Sequence, residues 1–144
     1  MNTIAVDAMG GDSAPIDIVK GAIKAKEQGV DVVLCGDKNL INPYLENNEI
    51  PVFDFPEVIS MDEDPLRAIR NKKNASIVGC MQLLKDKKVQ AVFSAGSTGA
   101  TLISAISILG KHKGVIRPVI ASVLPSLSGN TILLDSGASL DVKP

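Results

Sequence analysis

The stretch Thr3-Ile4-Ala5-Val6-Asp7-Ala8-Met9-Gly10-Gly11 sets the expected architecture of this chain. Its apolar run ends at Asp7, and two glycines follow shortly after, which predicts a buried strand that leads into a sharp turn. Apolar runs over residues 89–94 and 131–135 end in the same way, in turns built from small residues. The sequence therefore predicts several buried strands that each finish in a glycine turn.

Segments with helical spacing lie between the apolar runs. Ile16, Val19 and Ile23 define one helix face, Pro15 suits its first turn, and either Asp12 or Ser13 is expected to cap it. Further strands are predicted over residues 30–35, 51–55 and 118–124, further helices over 75–87 and 101–109, and a hairpin or return loop over 125–130. This alternation predicts one α/β domain over residues 1–144, Rossmann-like and three-layered, with a parallel or mixed sheet and helices on both faces.

The composition excludes several classes of protein. The 144 residues include 15 basic and 16 acidic side chains, 45% hydrophobic residues and only 3% aromatic residues. A near-neutral, apolar chain is not a long disordered one, and it lacks the excess of cations that nucleic acid binding requires. Few aromatic side chains and 12 glycines are typical of parallel α/β proteins.

The two cysteines and the amino terminus indicate the cytoplasm. Cys35 and Cys80 each lie inside an apolar run, so we expect buried free thiols rather than a disulfide. The start of the chain lacks the basic and apolar regions of a signal peptide, and no uncharged apolar stretch reaches the roughly 20 residues of a membrane span.

Three glycine turns are the most informative feature. They read Asp7-Ala8-Met9-Gly10-Gly11-Asp12, Ser94-Ala95-Gly96-Ser97-Thr98-Gly99-Ala100 and Asp135-Ser136-Gly137-Ala138-Ser139-Leu140-Asp141. The carboxyl ends of parallel strands share one sheet edge, where exposed amides at helix N-termini attract anions. Such turns also occur merely because a chain must reverse direction. Together the turns suit phosphate or another oxyanion. The middle turn matches neither the phosphate loop of ATP-binding proteins nor the dinucleotide motif, so neither ATP nor NAD is indicated.

Two charged groups each allow two interpretations. The acidic run over residues 62–64 is explained by charge at a helix N-terminus, with a metal site as the less favoured alternative. The basic residues are either a solvated helix face or contacts for phosphate or for an acidic protein partner. They are Arg67, Arg70, Lys72 and Lys73.

Four ordered motifs resemble the phosphate acyltransferases of bacterial phospholipid synthesis, the PlsX family. The first glycine turn with Ala14-Pro15 is similar to the opening signature of the family. Asp64-Pro65 with Ala68-Ile69-Arg70 and Lys72-Lys73 resembles its acidic-then-basic segment, and residues 94–100 resemble its glycine turn. Arg117-Pro118, followed by Pro125 and residues 134–141, resembles its third loop.

The sequence departs from the family pattern in two ways. Ser97 and Ser139 stand where the family usually or often has Asn, which replaces an amide donor and acceptor by one hydroxyl. Family members also carry a comparably long C-terminal half. We therefore expect this chain to be the N-terminal part of a longer architecture.

The resemblance implies acyl transfer from acyl carrier protein to inorganic phosphate, which gives acyl phosphate. Phosphate is its own nucleophile, so no catalytic side chain is assigned, and no cofactor or metal is expected. It also implies a homodimer and peripheral membrane association of the longer form. The residues expected to bind phosphate or substrate are Gly10, Gly11, Asp12, Gly96, Ser97, Thr98, Gly99, Arg117, Asp135, Gly137 and Asp141. Asp12 is weighed equally as a helix cap. The alternatives are another phosphate-handling α/β transferase, or a non-catalytic module that binds the carrier or completes an oligomer.

Overall fold

The structure is a computed structural model that describes residues 2–127 and 129–135. Its contacts divide the chain into two compact units, Met1–Leu109 and Gly110–Pro144, and each is described by itself. The single domain over residues 1–144 stays a prediction.

The first unit is built on a four-stranded parallel sheet with the order β3-β2-β1-β4. The strands are β1 (Ile4–Asp7), β2 (Val32–Gly36), β3 (Val52–Asp54) and β4 (Ala91–Ser94). In the register, Asp7 is opposite Cys35 on one side and Ser94 on the other. The four apolar runs predicted as strands in this unit are confirmed, and the parallel pairing places the ends of β1 and β4 side by side.

Five α-helices and a short 3-10 turn, Asn42–Tyr44, accompany the sheet. The helices are α1 (Ile16–Glu27), α2 (Lys38–Ile41), α3 (Pro65–Asn71), α4 (Ser76–Lys85) and α5 (Thr98–Ile108). The expectation that Asp12 or Ser13 caps α1 is wrong, because Pro15 occupies the N-cap position without a side-chain hydrogen bond. Pro15 already has helical dihedral angles, and the backbone carbonyl of Ser13, not its hydroxyl, accepts a bond from the Asp17 N–H.

Apolar side chains on both faces of the sheet form the core. Val6, Val32 and Leu34 pack on one face with Val19 and Ala22 of α1. The alternate strand residues point to the other face, where Ala5, Val33 and Cys35 pack with Cys80 and Leu83 of α4. The predicted α/β fold with helices on both faces of the sheet is confirmed.

The second unit contains an antiparallel hairpin. Strands β5 (Ala121–Ser126) and β6 (Gly129–Leu134) pair from Ala121 opposite Leu134 to Ser126 opposite Gly129. The hairpin alternative for this region is confirmed, although its strands extend into the predicted loop over residues 125–130. In the described residues, no helix has the length and apolar character that crossing a membrane requires.

We expect Gly79→Ala to destabilise the first unit. A Cβ atom at Gly79 would overlap ring atoms of Phe55, because α4 lies directly against that ring. Overpacking typically costs about 1–3 kcal/mol, which should outweigh the roughly 1 kcal/mol that Ala gains over Gly inside a helix. Urea unfolding followed by circular dichroism measures the change.

Gly21→Ala is the matched control, because Gly21 also lies inside a helix but has no atom within 4 Å of an added Cβ. That variant should raise the free energy of unfolding by about 0.5–1 kcal/mol. A Gly79→Ala protein as stable as the Gly21→Ala protein would contradict the packing described for α4.

We expect both cysteines to resist alkylation in the folded chain. Cys35 and Cys80 are buried free thiols, as predicted. Contact with Cys35, followed by burial, raises the pKa of Cys80 well above its usual value, which disfavours the reactive thiolate. Mass spectrometry after iodoacetamide treatment at pH 8 should find no modification of the native chain and two modifications in urea. Rapid native labelling would show that this core is open.

Candidate phosphate site

Two of the three glycine turns meet at the carboxyl edge of the sheet. A Cβ atom on Gly10 would lie 2.9 Å from the Gly96 backbone nitrogen, and one on Gly96 would lie 3.1 Å from the Gly10 Cα. Gly11, at a φ of 116°, would place a Cβ 3.3 Å from that of Ala95. The turns are in contact because their strands, β1 and β4, are neighbours, and only glycine allows the two backbones to approach so closely.

A buried hydrogen-bond chain underlies this contact. Asp7 is only 3% exposed, and its Oδ2 accepts a 2.7 Å bond from the Ser94 hydroxyl. The Met9 N–H donates to Asp7 Oδ1 at 3.3 Å, and the Gly96 N–H donates to Ser94 Oγ at 3.1 Å. The sequence prediction missed both side chains. The sequence did contain a sign of their importance, because Asp7 and Ser94 are each the last residue of an apolar strand that leads into a glycine turn.

The second turn leads directly into α5. Ser97 is its N-cap, with an Oγ that accepts from the Ala100 N–H at 3.3 Å. The Ser97 hydroxyl still has its own hydrogen to donate, and the neighbouring Thr98 is exposed. A Cβ on Gly99 would lie 2.9 Å from Pro65 Cγ, so α3 begins beside the same turn. The hydroxyls expected to contact an anion therefore lie at the N-terminus of α5.

The N-terminus of α4 also lies beside the two glycine turns. A small recess is lined by Asp7, Met9, Gly10, Ile59, Ser76, Ile77, Ser94, Gly96, Ser97, Ala100 and Thr101. Ser76 and Ile77 are the first residues of α4, whose N-cap, Ala75, has no side chain that can cap the helix. The water-accessible volume of the recess is about 10 Å³, enough for roughly one water molecule. An anion the size of phosphate would therefore bind at the mouth of the recess.

The charged segment next to α3 is largely engaged in internal contacts. Asp64 caps α3 by accepting from the Arg67 N–H at 2.8 Å, as the helix-terminus interpretation predicts. Lys72 donates to Glu63 at 2.5 Å and to the carbonyl of Val58 at 2.7 Å. The bond from Lys72 is the main reason why the pKa of Glu63 lies below its usual value.

The other basic residues differ from one another. Arg67 and Arg70 are exposed on α3. Lys73 is exposed as well, although its ammonium donates to the carbonyl of Ile69 at 3.2 Å. Three of the four basic residues singled out in this segment therefore present accessible charges, whereas Lys72 is only partly exposed.

The remaining candidates lie in the exposed part of the first turn, in the second unit or outside the described residues. Asp12 is exposed in the first turn. In the second unit, Arg117 is exposed, and Asp135 is 9% exposed with an Oδ1 that accepts from the Ile120 N–H at 3.2 Å. Gly137 and Asp141 lie outside the described residues. The third turn therefore stays a prediction.

Comparison with curated proteins shows close relatives. A phosphate acyltransferase of Desulforamulus reducens is 48% identical over 149 residues, which cover 100% of this chain and 45% of the relative. A phosphate acyltransferase of Gloeothece citriformis is 49% identical over 148 residues, which cover 98% of this chain and 42% of that protein. The chain thus spans less than half the length of these relatives.

Among solved structures, the crystal structure of Acinetobacter baumannii MurG matches 76% of this chain and 32% of its own, with a TM-score of 0.47 and 20% identity. That likeness supports no statement about function. The family model described as "Fatty acid synthesis protein" matches residues 2–144. The match covers nearly the whole chain, and the two phosphate acyltransferases are 48% and 49% identical to it. This chain therefore belongs to the fatty acid synthesis protein family.

Proposed function

We propose that this chain is the part of a phosphate acyltransferase that holds inorganic phosphate for attack on an acyl thioester. The observation that carries the proposal is the convergence of two glycine turns and two helix N-termini on one recess. Backbone N–H groups at a helix N-terminus are unpaired within the helix, and the helix dipole favours negative charge there. Two such termini beside glycine backbone suit a phosphate dianion.

The first turn of α5 is the proposed centre of phosphate binding. The proposed donors are the backbone amides of Ser97, Thr98 and Gly99 and the hydroxyls of Ser97 and Thr98. Gly96, whose N–H donates to Ser94 Oγ, lines the site with its backbone, and Gly10 and Gly11 form the opposite wall. Asp12 lies at the exposed end of that wall and is proposed to orient donors rather than to contact the dianion, because two negative charges repel.

The proposed reaction needs positioning more than side-chain chemistry. A phosphate oxygen attacks the thioester carbonyl carbon, and the carbonyl oxygen becomes negative. Collapse of this intermediate breaks the carbon–sulfur bond, releases the carrier thiolate, which takes up a proton, and leaves acyl phosphate. Because phosphate is the nucleophile, no serine or cysteine nucleophile is required. The protein supplies orientation and preorganised hydrogen-bond donors for the developing oxyanion.

Acyl carrier protein is the proposed acyl donor. Arg67 and Arg70 are exposed on α3, and Pro65 at the start of that helix lies against Gly99. Cations beside the proposed phosphate site would steer an acidic carrier toward it. Lys72 and Lys73, which donate to internal acceptors, are proposed to hold α3 in place rather than to bind the carrier.

The other expectations belong to the same proposal. Arg117, Asp135, Gly137 and Asp141 are proposed to form a third substrate loop. A homodimer, a cytoplasmic location and peripheral association with the membrane are likewise proposed for the longer protein.

A direct assay tests the proposal. The chain is incubated with acyl carrier protein that bears a long acyl group, with or without phosphate, and acyl phosphate is trapped with hydroxylamine and measured. Phosphate-dependent product formation supports the proposal. Carrier binding without any phosphate binding or turnover would contradict it and would favour a non-catalytic carrier-binding module. ATP turnover with Mg²⁺ would instead indicate a kinase.

We expect the variant Arg67→Ala with Arg70→Ala to weaken the interaction with the carrier. Each exposed charge contributes at most about 1 kcal/mol, so KM for the acylated carrier should rise up to about fivefold per arginine at low salt. The effect should fade in about 0.5 M salt, where charges on the surface are screened.

The matched control is Lys20→Ala with Lys24→Ala, which also removes two positive charges from a helix, in this case α1. It changes the net charge by the same amount at a different place. An equal rise in KM in both double variants would show that net charge, not the face of α3, governs carrier binding.

A further inference from the structure

Asp7 and Ser94 connect the two glycine turns through a side-chain hydrogen bond. Although 87 positions separate them in the sequence, their side chains meet at 2.7 Å. They are register partners, because each is the last residue of its strand in the parallel pair β1 and β4. Residues opposite each other in a sheet point to the same face, so the pair lies beneath the two turns.

The Asp7 carboxylate also occupies the space that a side chain at position 10 would need. A Cβ on Gly10 would lie 2.5 Å from Asp7 Oδ2 and 3.0 Å from Ser94 Oγ. The first turn thus packs directly on the carboxylate, while the Gly96 N–H in the second turn donates to the same Ser94 oxygen. Both turns are held against one pair of side chains.

The chemistry of this pair favours a positioning role over contact with substrate. Both carboxylate oxygens of Asp7 accept hydrogen bonds from the protein, and the residue is 3% exposed. A carboxylate in direct contact with phosphate would repel it. Hydrogen bonds to a carboxylate are short and strong, so this one fixes the separation of the strand ends.

We propose that Asp7 and Ser94 are positioning residues that set the distance between the two glycine turns and so aim the α5 amides at phosphate. This inference rests on the proposed function of the site. Removal of the Ser94 hydroxyl leaves Asp7 Oδ2 and the Gly96 N–H without their shared partner, so the second turn can shift relative to the first. We therefore expect weaker binding of phosphate and unchanged binding of the acyl donor.

The kinetic test uses Ser94→Ala with Ser94→Thr as the conservative variant. We expect Ser94→Ala to lower kcat/KM for phosphate by about 10- to 100-fold, the loss expected when a buried donor and acceptor lose their shared partner, with KM for the acylated carrier nearly unchanged. Ser94→Thr retains the hydroxyl and should restore most of the loss. Ser60→Ala, which removes an exposed hydroxyl that bonds to Glu63 at 3.4 Å, is the control. A purely structural role would lower kcat/KM for phosphate and kcat/KM for the acylated carrier by the same factor, and that result would overturn the inference.

Asp7→Asn provides a second variant that conserves shape if Ser94→Ala does not fold. An amide has one oxygen in place of two and cannot accept from both Met9 and Ser94, so the same loss specific to phosphate is expected. Unchanged phosphate kinetics in Asp7→Asn would overturn the inference.

Nitrogen-15 NMR of the ligand-free chain separates failure of this inference from failure of the proposed function. In Ser94→Ala, the amide signals of Gly10 and Gly96 should both shift and exchange faster with solvent, while Ser60→Ala leaves them in place. An unchanged Gly10 amide overturns the coupling of the turns, whatever the enzyme assay shows. If the two amides respond together in a chain that neither binds nor consumes phosphate, that result overturns the proposed function and, with it, the role of Asp7 and Ser94 in phosphate binding.

Discussion

The hydrogen bond from the Ser94 hydroxyl to the Asp7 carboxylate is the interaction on which the candidate site depends. It joins the last residues of two neighbouring parallel strands, 2.7 Å apart. Because the carboxylate fills the space beside Gly10, no other residue fits there without a shift of the turn. The close approach of the two turns and the direction in which α5 begins follow from this arrangement.

The two-sided core accounts for the position of the candidate anion site. Alternate strand residues pack against α1 on one face of the sheet and against α4 on the other, and the strands are parallel, so the connecting helices return over the sheet. Each helix then begins near the carboxyl edge, where its unpaired N–H groups point outward. The fold therefore determines where the candidate site lies, and Gly10 and Gly96 let the two turns come into backbone contact there.

Much of the fold could be predicted from the sequence, whereas less of the site could. The predicted ends of β1 and β4 agree with the structure at Asp7 and Ser94, and those of β2 and β3 lie within one residue, because burial on both faces of a strand demands an apolar run. The partnership of Asp7 and Ser94 depends on strand order, which a local pattern does not contain. The predicted cap of α1 was wrong, because Pro15 occupies the N-cap position and already has helical dihedral angles. The sequence grouped Lys72 with the other basic residues of its segment. Its hydrogen-bond acceptors, Glu63 and the Val58 carbonyl, lie in the loop before α3, and a local charge pattern does not show that contact.

The most direct test of the account is a phosphate titration of the nitrogen-15-labelled chain, followed by its amide signals at constant ionic strength, with chloride as the control anion. We predict that the amides of Gly10, Gly11 and residues 96–99 shift together along one saturation curve. Their common curve would show that both turns bind the same anion. Saturable shifts confined to one turn or to other parts of the chain, or no saturable shift at all, would contradict it.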